Sequence, residues 1–136
     1  MLLISLHPRH SKNVFSGKKA IELRKVKPRM NGKQLAFNKV LIYETMPTAK
    51  IVGWCDVIGV IYGNADFMID YANDLCLSPD EIKTYLGNKI GYGLLLKQPI
   101  LINPIPLTAM RNCGILPPQG MVYLKSETVK KLMFPV

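Results

Sequence analysis

A long apolar segment, KIVGWCDVIGVIYG at residues 50–63, constrains the fold more than any other stretch of the sequence. Its many β-branched residues favour a strand over a helix. The glycines at positions 53 and 59 predict that this strand bends or carries bulges. A second apolar segment, IGYGLLLKQPILI at residues 90–102, predicts another long strand, which continues past Pro99 at an edge or bend. We therefore expect a sheet that contains long, irregular strands.

Shorter elements surround these two strands. Alternating residues predict strands at residues 2–7, 20–26 and 39–46, and the segment 110–124 predicts a short turn or helix, a Pro-Pro loop and a closing strand. Helical spacing predicts a helix at residues 64–75, and start, cap and stop residues predict helices at residues 8–16, 78–88 and 126–134. Residues 27–34 predict an exposed basic turn with an Asn-Gly pair. Many strands with a few short helices indicate an α+β fold, a small mixed β-barrel flanked by short helices.

Two of these helices have clear start and stop residues. Pro8 suits the first position of a helix, and Gly17 suits the position just past its end. In the helix at residues 78–88, Ser78 and Glu81 form a capping-box pattern, and Gly87 stops the helix. These residues fix where both helices begin and end.

The length of 136 residues predicts a single domain over residues 1–136. No run approaches the roughly 18 apolar residues that span a bilayer, and the first residues, MLLISLHPRH, predict a strand rather than a signal peptide. Cys55, Cys76 and Cys113 are far apart, which argues against a disulfide framework or a structural zinc site. We expect a cytoplasmic protein with reduced thiols, no membrane contact, no metal and no cofactor.

Positive charge is concentrated in the first quarter of the chain. Residues 1–33 contain nine Lys or Arg and one acid, Glu22, a net charge of +8, whereas residues 34–136 have a net charge of +1. A concentrated basic patch attracts polyanions, although a solvated face that keeps the protein soluble has the same composition. We predict a polyanion partner.

The lone acid Glu22 lies in the most basic stretch, SGKKAIELRK at residues 16–25. Strand alternation places Glu22 and Arg24 on one face, about 7 Å apart, with Lys19 at the mouth of the strand. Arg24 is expected to hold Glu22 bidentately or to grip a phosphate, and Lys19 to act as a flexible point charge. Taken by themselves, these residues are explained equally well by solvated charges on a surface strand.

The same stretch matches the GxKxxExR signature of ASCH domains, which belong to the PUA-like superfamily, through Gly17, Lys19, Glu22 and Arg24. Three later segments also resemble the family: NKVLIYETMPTAKIVGWCDV, LSPDEIKTYLGNKIGYGLLLKQPILINPIPL and GILPPQGMVYL. The four segments cover most of the chain in the family's order. The chain therefore resembles an ASCH domain.

This resemblance implies a PUA-like β-barrel with a basic cleft beside the signature. It also implies a module that binds RNA or a nucleotide-like ligand, in transcription or translation regulation. The nucleic-acid-binding residues expected on this basis are Lys19, Glu22, Arg24, Lys18, Lys25, Arg9, Tyr43 and Tyr92. The two tyrosines would offer stacking surfaces, although strand tyrosines more often pack in a core. His7 and His10 are expected to be surface residues rather than catalysts.

Two departures from the family pattern bear on activity. Gly120, Met121 and Val122 stand where relatives carry Ser, an aromatic residue and Arg, so any base contact of that Arg is lost or moved. One ASCH-like branch resembles amidohydrolases that deacetylate a modified cytidine with a lysine, a threonine nucleophile and an acidic base. Here Lys19 is retained, but Glu22 occupies the nucleophile position and has no hydroxyl, which disfavours acyl-enzyme chemistry.

Two other functions stay open beside the binding module. The first is a hydrolase acting on RNA or a modified nucleoside, with Lys19 and Glu22 as catalytic groups and a further acidic base expected near position 74 or 75. The second is an interaction domain whose acidic helix, with Asp66, Asp70 and Asp74, opposes the basic quarter and either drives self-association or balances charge within the monomer. The sequence leaves the oligomeric state open.

Overall fold

Two long antiparallel strands form the centre of the fold in the computed structural model, which describes residues 1–134. The strands are β1 (Leu2–Leu6), β2 (Ile21–Arg24), β3 (Met30–Asn31), β4 (Gln34–Leu35), β5 (Lys39–Glu44), β6 (Lys50–Gly63), β7 (Gly91–Pro106) and β8 (Met121–Tyr123). Six of them form one sheet in the order β2-β7-β6-β5-β1-β8, and β3 and β4 form a separate hairpin. Because β1 and β5 run parallel and the other neighbours antiparallel, the sheet is mixed.

The expected irregularity of the long strands is confirmed. The pairing of β6 with β7 shifts register at three places along β6, and such bulges increase the local bend and twist. The sheet accordingly curls into a half-barrel, which confirms the predicted α+β class with short flanking helices. Gly53 lies where an added Cβ would come within 2.3 Å of the Ile100 carbonyl oxygen and 2.6 Å of the Phe15 ring. This position therefore has room only for glycine.

Six short helices flank the sheet: α1 (Pro8–Phe15), α2 (Ala65–Ile69), α3 (Ala72–Leu75), α4 (Pro79–Leu86), α5 (Leu107–Asn112) and α6 (Ser126–Met133). Pro8 begins α1, and Gly17 follows it with φ of 82°. Ser78 and Glu81 form the capping box of α4. The predicted start and stop residues of both helices are thus confirmed.

The predicted helix at residues 64–75 is wrong in its continuity. The chain forms α2 and α3 instead, with Tyr71 outside helical geometry between them. The Tyr71 N–H bonds to the Met68 carbonyl, a tight turn that ends α2, and the Tyr71 ring packs on Phe67. The predicted basic turn at residues 27–34 likewise contains part of the β3–β4 hairpin, with Gly32 at φ of 61°.

A hydrophobic cluster beneath β2 positions the signature residues. Ile21 and Leu23 turn inward, as the alternation predicted, and pack with buried residues of the helices α2, α3 and α4, namely Met68, Leu75, Ile82 and Leu86. Glu22 and Arg24 consequently face the opposite way.

The three thiols are free, and burial raises the pKa of Cys55 to about 12. Within residues 1–134, no helix combines the length and apolar character needed to cross a membrane.

Candidate nucleic-acid site

A cavity of about 420 Å³ opens beside the signature strand β2. Its walls come from the end of β1, from α1, from β2 and from α4. We call it the signature cleft, and its polar and charged lining residues are Ser5, His7, His10, Lys19, Glu22, Arg24, Glu81, Tyr85 and Gln119.

Glu22 lies between two cations on one side of this cleft. Its Oε2 accepts a hydrogen bond from Arg24 Nε at 2.7 Å, and its Oε1 lies 3.5 Å from Lys19 Nζ. Because its side chain is only 8% exposed, the carboxylate is largely shielded from water. The three side chains together carry one net positive charge, so the cleft is less basic than the sequence of residues 16–25 suggests.

Arg24 does not hold Glu22 bidentately, which corrects one of the two expectations for this residue. Only Nε contacts the carboxylate, because Nη2 donates to the Ser5 carbonyl oxygen at 3.0 Å. A guanidinium has five N–H donors, and these two bonds use two of them. These two bonds hold the guanidinium in place. Because the side chain is 14% exposed, its remaining edge reaches the cleft.

Lys19 is an anchored, buried ammonium group, not the flexible point charge that the sequence predicted. Its side chain is 1% exposed, and Nζ donates to the Leu75 carbonyl oxygen at 2.5 Å. Burial lowers the pKa of Lys19, and the nearby Glu22 carboxylate counteracts part of that effect. The main chain is also held, since the Lys19 N–H bonds to the Asn13 carbonyl at 2.8 Å.

An ion pair links two walls of the signature cleft at its rim. Both Nη atoms of Arg9 in α1 contact the Glu81 carboxylate in α4, at 3.1 and 3.2 Å. Glu81 also accepts the Ser78 N–H at 3.1 Å as part of the capping box. The Arg9 guanidinium and this N–H hold the pKa of Glu81 at about 2. Arg9, expected to bind nucleic acid, is therefore already paired with an acid.

Sequence reasoning treated both histidines as surface residues and did not select Tyr85. His10 is half-buried, and within residues 1–134 its Nδ1 has no hydrogen-bond partner. Burial, with a smaller effect of the Lys19 ammonium, lowers the pKa of His10. Tyr85 lies four residues after Glu81 and so on the same face of α4. That spacing identifies Tyr85 once Glu81 is known to line the cleft.

The other sequence-predicted residues are dispersed. Lys18 is exposed beside Gly17 but does not line the cleft, and Lys25 lies over the Tyr85 ring at 4.7 Å. Tyr43 is 6% exposed in a core cluster, so the stacking role considered for it is wrong. Tyr92 lines a different cavity.

The two candidate positions for an acidic base also lie away from the cleft lining. Asp74 is exposed, whereas Leu75 is buried and contributes only its carbonyl, to Lys19. Among residues 1–134, no three His, Cys, Asp or Glu side chains are grouped so that they could hold a metal ion.

Comparisons with known proteins show which proteins the chain resembles. No protein-family model matches it. A Zymomonas mobilis subsp. mobilis protein named ASCH domain-containing ribonuclease is 27% identical over 135 residues, covering 96% of this chain and 88% of that protein.

Two solved structures resemble the fold. The crystal structure of ASCH from Zymomonas mobilis superposes with a TM-score of 0.86 at 27% identity, covering 97% of this chain and 92% of that one. The N-terminal domain of Staphylothermus marinus McrB, at 10% identity and a TM-score of 0.59, covers 99% of this chain and 93% of its own and shares the fold alone. The sequence match and the first superposition both span nearly the whole chain, which is similar in sequence and in fold to these Zymomonas mobilis ASCH proteins.

Proposed function

We propose that this protein binds single-stranded RNA in the signature cleft, with Arg24 as the main phosphate contact. The observation that carries the proposal is the fixed guanidinium at the edge of a polar cavity. Arginine binds phosphate through planar, charge-assisted hydrogen bonds. The bonds to Glu22 and Ser5 orient the guanidinium, so its remaining N–H donors are already positioned to bind a ligand. The relative named as a ribonuclease supports an RNA-related function for the family.

Lys19 and Glu22 act in this proposal as positioning residues. Lys19 is too deeply buried to contact a phosphate directly, and Glu22 orients Arg24 through the 2.7 Å hydrogen bond. Fixing the guanidinium before binding reduces the entropy lost when the complex forms. Tyr85, partly exposed beside the cleft, offers a ring on which a base can stack.

Fluorescence anisotropy with a labelled oligouridylate tests this proposal. Arg24→Ala is expected to weaken binding by about 10- to 150-fold, as for the loss of hydrogen bonds to a charged group. Lys130→Ala, which removes an exposed lysine of α6, is the matched control and is expected to bind like the wild type. Equal affinities of the Arg24→Ala and Lys130→Ala variants, both shown to be folded by circular dichroism, would refute the proposal.

A second candidate function, cleavage of the bound RNA, is supported by the two histidines in the cleft and by the name of the relative. Burial lowers the pKa of His10, which favours the neutral imidazole that accepts the proton of a ribose 2′-hydroxyl. The 2′-oxygen then attacks phosphorus, the bond to the 5′-oxygen breaks, and His7 acts as the general acid that gives a proton to the leaving 5′-oxygen. The products are a 2′,3′-cyclic phosphate and a 5′-hydroxyl.

Product analysis separates this candidate from hydrolysis by Lys19 and Glu22. The histidine route predicts a cyclic phosphate product and a loss of about 100-fold or more in rate in His10→Ala, within the usual range for removing a general base. Cleavage that persists in His10→Ala and His7→Ala but disappears in Glu22→Gln would favour the Lys19–Glu22 pair. If the wild-type protein does not cleave a long RNA, both cleavage routes are refuted and RNA binding remains as the proposed function.

A further inference from the structure

A row of three paired residues leads across the sheet away from Arg24. Arg24 in β2 pairs with Tyr92 in β7, and Tyr92 pairs with Tyr62 in β6. Directly paired residues on neighbouring strands direct their side chains to the same face of the sheet. Because neighbouring strands lie about 4.8 Å apart, the row extends for about 10 Å. Tyr62 therefore lies on the same face as the guanidinium of the signature cleft.

A second cavity, of about 530 Å³, lies at the far end of this row. We call it the tyrosine groove and define it by Lys27, Lys33, Val60, Tyr62 and Tyr92, all of which line it. The two rings lie with centroids 6.3 Å apart and planes inclined by 33°. The Tyr92 ring thus lies beside the Tyr62 ring, which stays largely exposed to solvent.

The exposure of Tyr62 is large for a strand tyrosine next to a core. The residue is 69% exposed, so its ring contributes little buried area to the fold. The lysines beside it are both exposed, one in the loop after β2 and one at the turn of the β3–β4 hairpin. An accessible aromatic ring flanked by exposed cations is the combination that binds single-stranded nucleic acid, through base stacking and phosphate contacts.

We propose that the tyrosine groove is a second RNA contact site, which receives the strand leaving the signature cleft. A base stacks on the exposed Tyr62 ring, and Lys27 and Lys33 hold the adjoining phosphates. The 10 Å row corresponds to roughly two or three stacked nucleotides. A dinucleotide therefore fills the signature cleft alone, whereas a longer strand reaches both sites. This inference rests on the RNA-binding function proposed above.

The test compares an oligouridylate about ten nucleotides long with the dinucleotide UpU, measured by anisotropy and by competition respectively. Tyr62→Ala is expected to weaken binding of the long RNA by about 5- to 150-fold, the range for loss of one stacked base. It is expected to leave UpU binding unchanged. Tyr62→Phe keeps the ring and is expected to bind within about 3-fold of the wild type. Phe134→Ala, which removes an exposed aromatic ring elsewhere, is the control.

The contribution of Lys27 and Lys33 is measured by the salt dependence of RNA binding. The double variant Lys27→Ala/Lys33→Ala is expected to reduce the slope of log affinity against log salt by about 1.4 for the long RNA, at about 0.7 per contact. Long-RNA affinity that depends on Arg24 but is unchanged in Tyr62→Ala would overturn the tyrosine groove and leave the signature cleft standing. No binding of either RNA by the wild type would overturn both proposals.

Discussion

Glu22 and Arg24, two residues apart on β2, are joined by a 2.7 Å hydrogen bond from Nε to Oε2, at the edge of a cavity. The same carboxylate lies 3.5 Å from the buried Lys19 ammonium. The Glu22 carboxylate therefore pairs with two cations: Lys19, which is almost fully buried, and Arg24, which reaches solvent. We expect Glu22 to contribute to protein stability through Lys19 and to anion affinity through Arg24. Mutations of the individual residues separate these two effects.

Glu22→Gln is expected to lower the free energy of unfolding by about 3–5 kcal/mol. The substitution leaves the Lys19 ammonium, 1% exposed, without its counter-charge, and removing one partner of a buried pair carries this cost. Urea denaturation at pH 7 measures it. Glu127→Gln, in the exposed first turn of α6, is the control, and similar unfolding free energies for the two variants would contradict the prediction.

Lys19→Met is expected to change protein stability, whereas Arg24→Met is expected to change the salt dependence of RNA binding. Lys19→Met leaves the buried Leu75 carbonyl without its donor and lowers the free energy of unfolding by about 1–3 kcal/mol. It is expected to preserve the salt dependence of RNA binding, because Lys19 does not contact phosphate. Arg24→Met is expected to reduce the slope of that dependence by about 0.7. Anisotropy titrations across salt concentrations measure both slopes, and an equal reduction in the two variants would show that Lys19 contacts the ligand.

His10 is expected to make stability depend on pH below about 6.5. Its pKa is lower in the folded than in the unfolded protein, first because of burial and then because of Lys19, while Glu22 partly opposes both. The unfolded chain therefore takes up the proton first, and the free energy of unfolding decreases as the pH falls from about 6.5 toward the folded pKa. Denaturation at pH 7.5 and pH 5, compared between wild type and His10→Gln, measures the effect. An identical decrease in both proteins would contradict it.

Arg9→Gln is expected to raise the pKa of Glu81 from about 2 toward its ordinary value of 4.5. The rise is expected to be partial, because the Ser78 N–H still bonds to the carboxylate. Since this pKa is depressed in the folded state, the pair stabilises the protein above the unfolded pKa and is lost as the pH falls toward 2. Carbon-13 NMR titration of the Glu81 carboxyl provides the measurement. An unchanged midpoint in Arg9→Gln would mean that the capping box alone sets the pKa.

The features that sequence reasoning predicted correctly depend on near neighbours in the chain. Gly17 after α1, the Ser78–Glu81 box and the shared face of Glu22 and Arg24 all follow from spacings of a few residues. The burial of Lys19 does not, because its acceptor is the carbonyl of Leu75, 56 positions away. The burial of Tyr43 likewise depends on which side of the sheet receives α5 and α6.

The residues that were missed have the same explanation. Tyr85 and His10 are ordinary positions in their own helices and become part of a site only when α4 and α1 meet across β2. Tyr62 was read as part of an apolar strand, and only its pairing with Tyr92 shows that it extends the row from Arg24.

Gly53 has a consequence for the helix that carries the histidine. The Phe15 ring at the end of α1 rests directly on this bare stretch of backbone in β6. The helix is therefore seated against the middle of the sheet, and Arg9 and His10 project from it toward the opening some distance away. The seat of α1, and with it the placing of Arg9 and His10, therefore depends on the absence of a single methyl group at a residue that does not line the signature cleft.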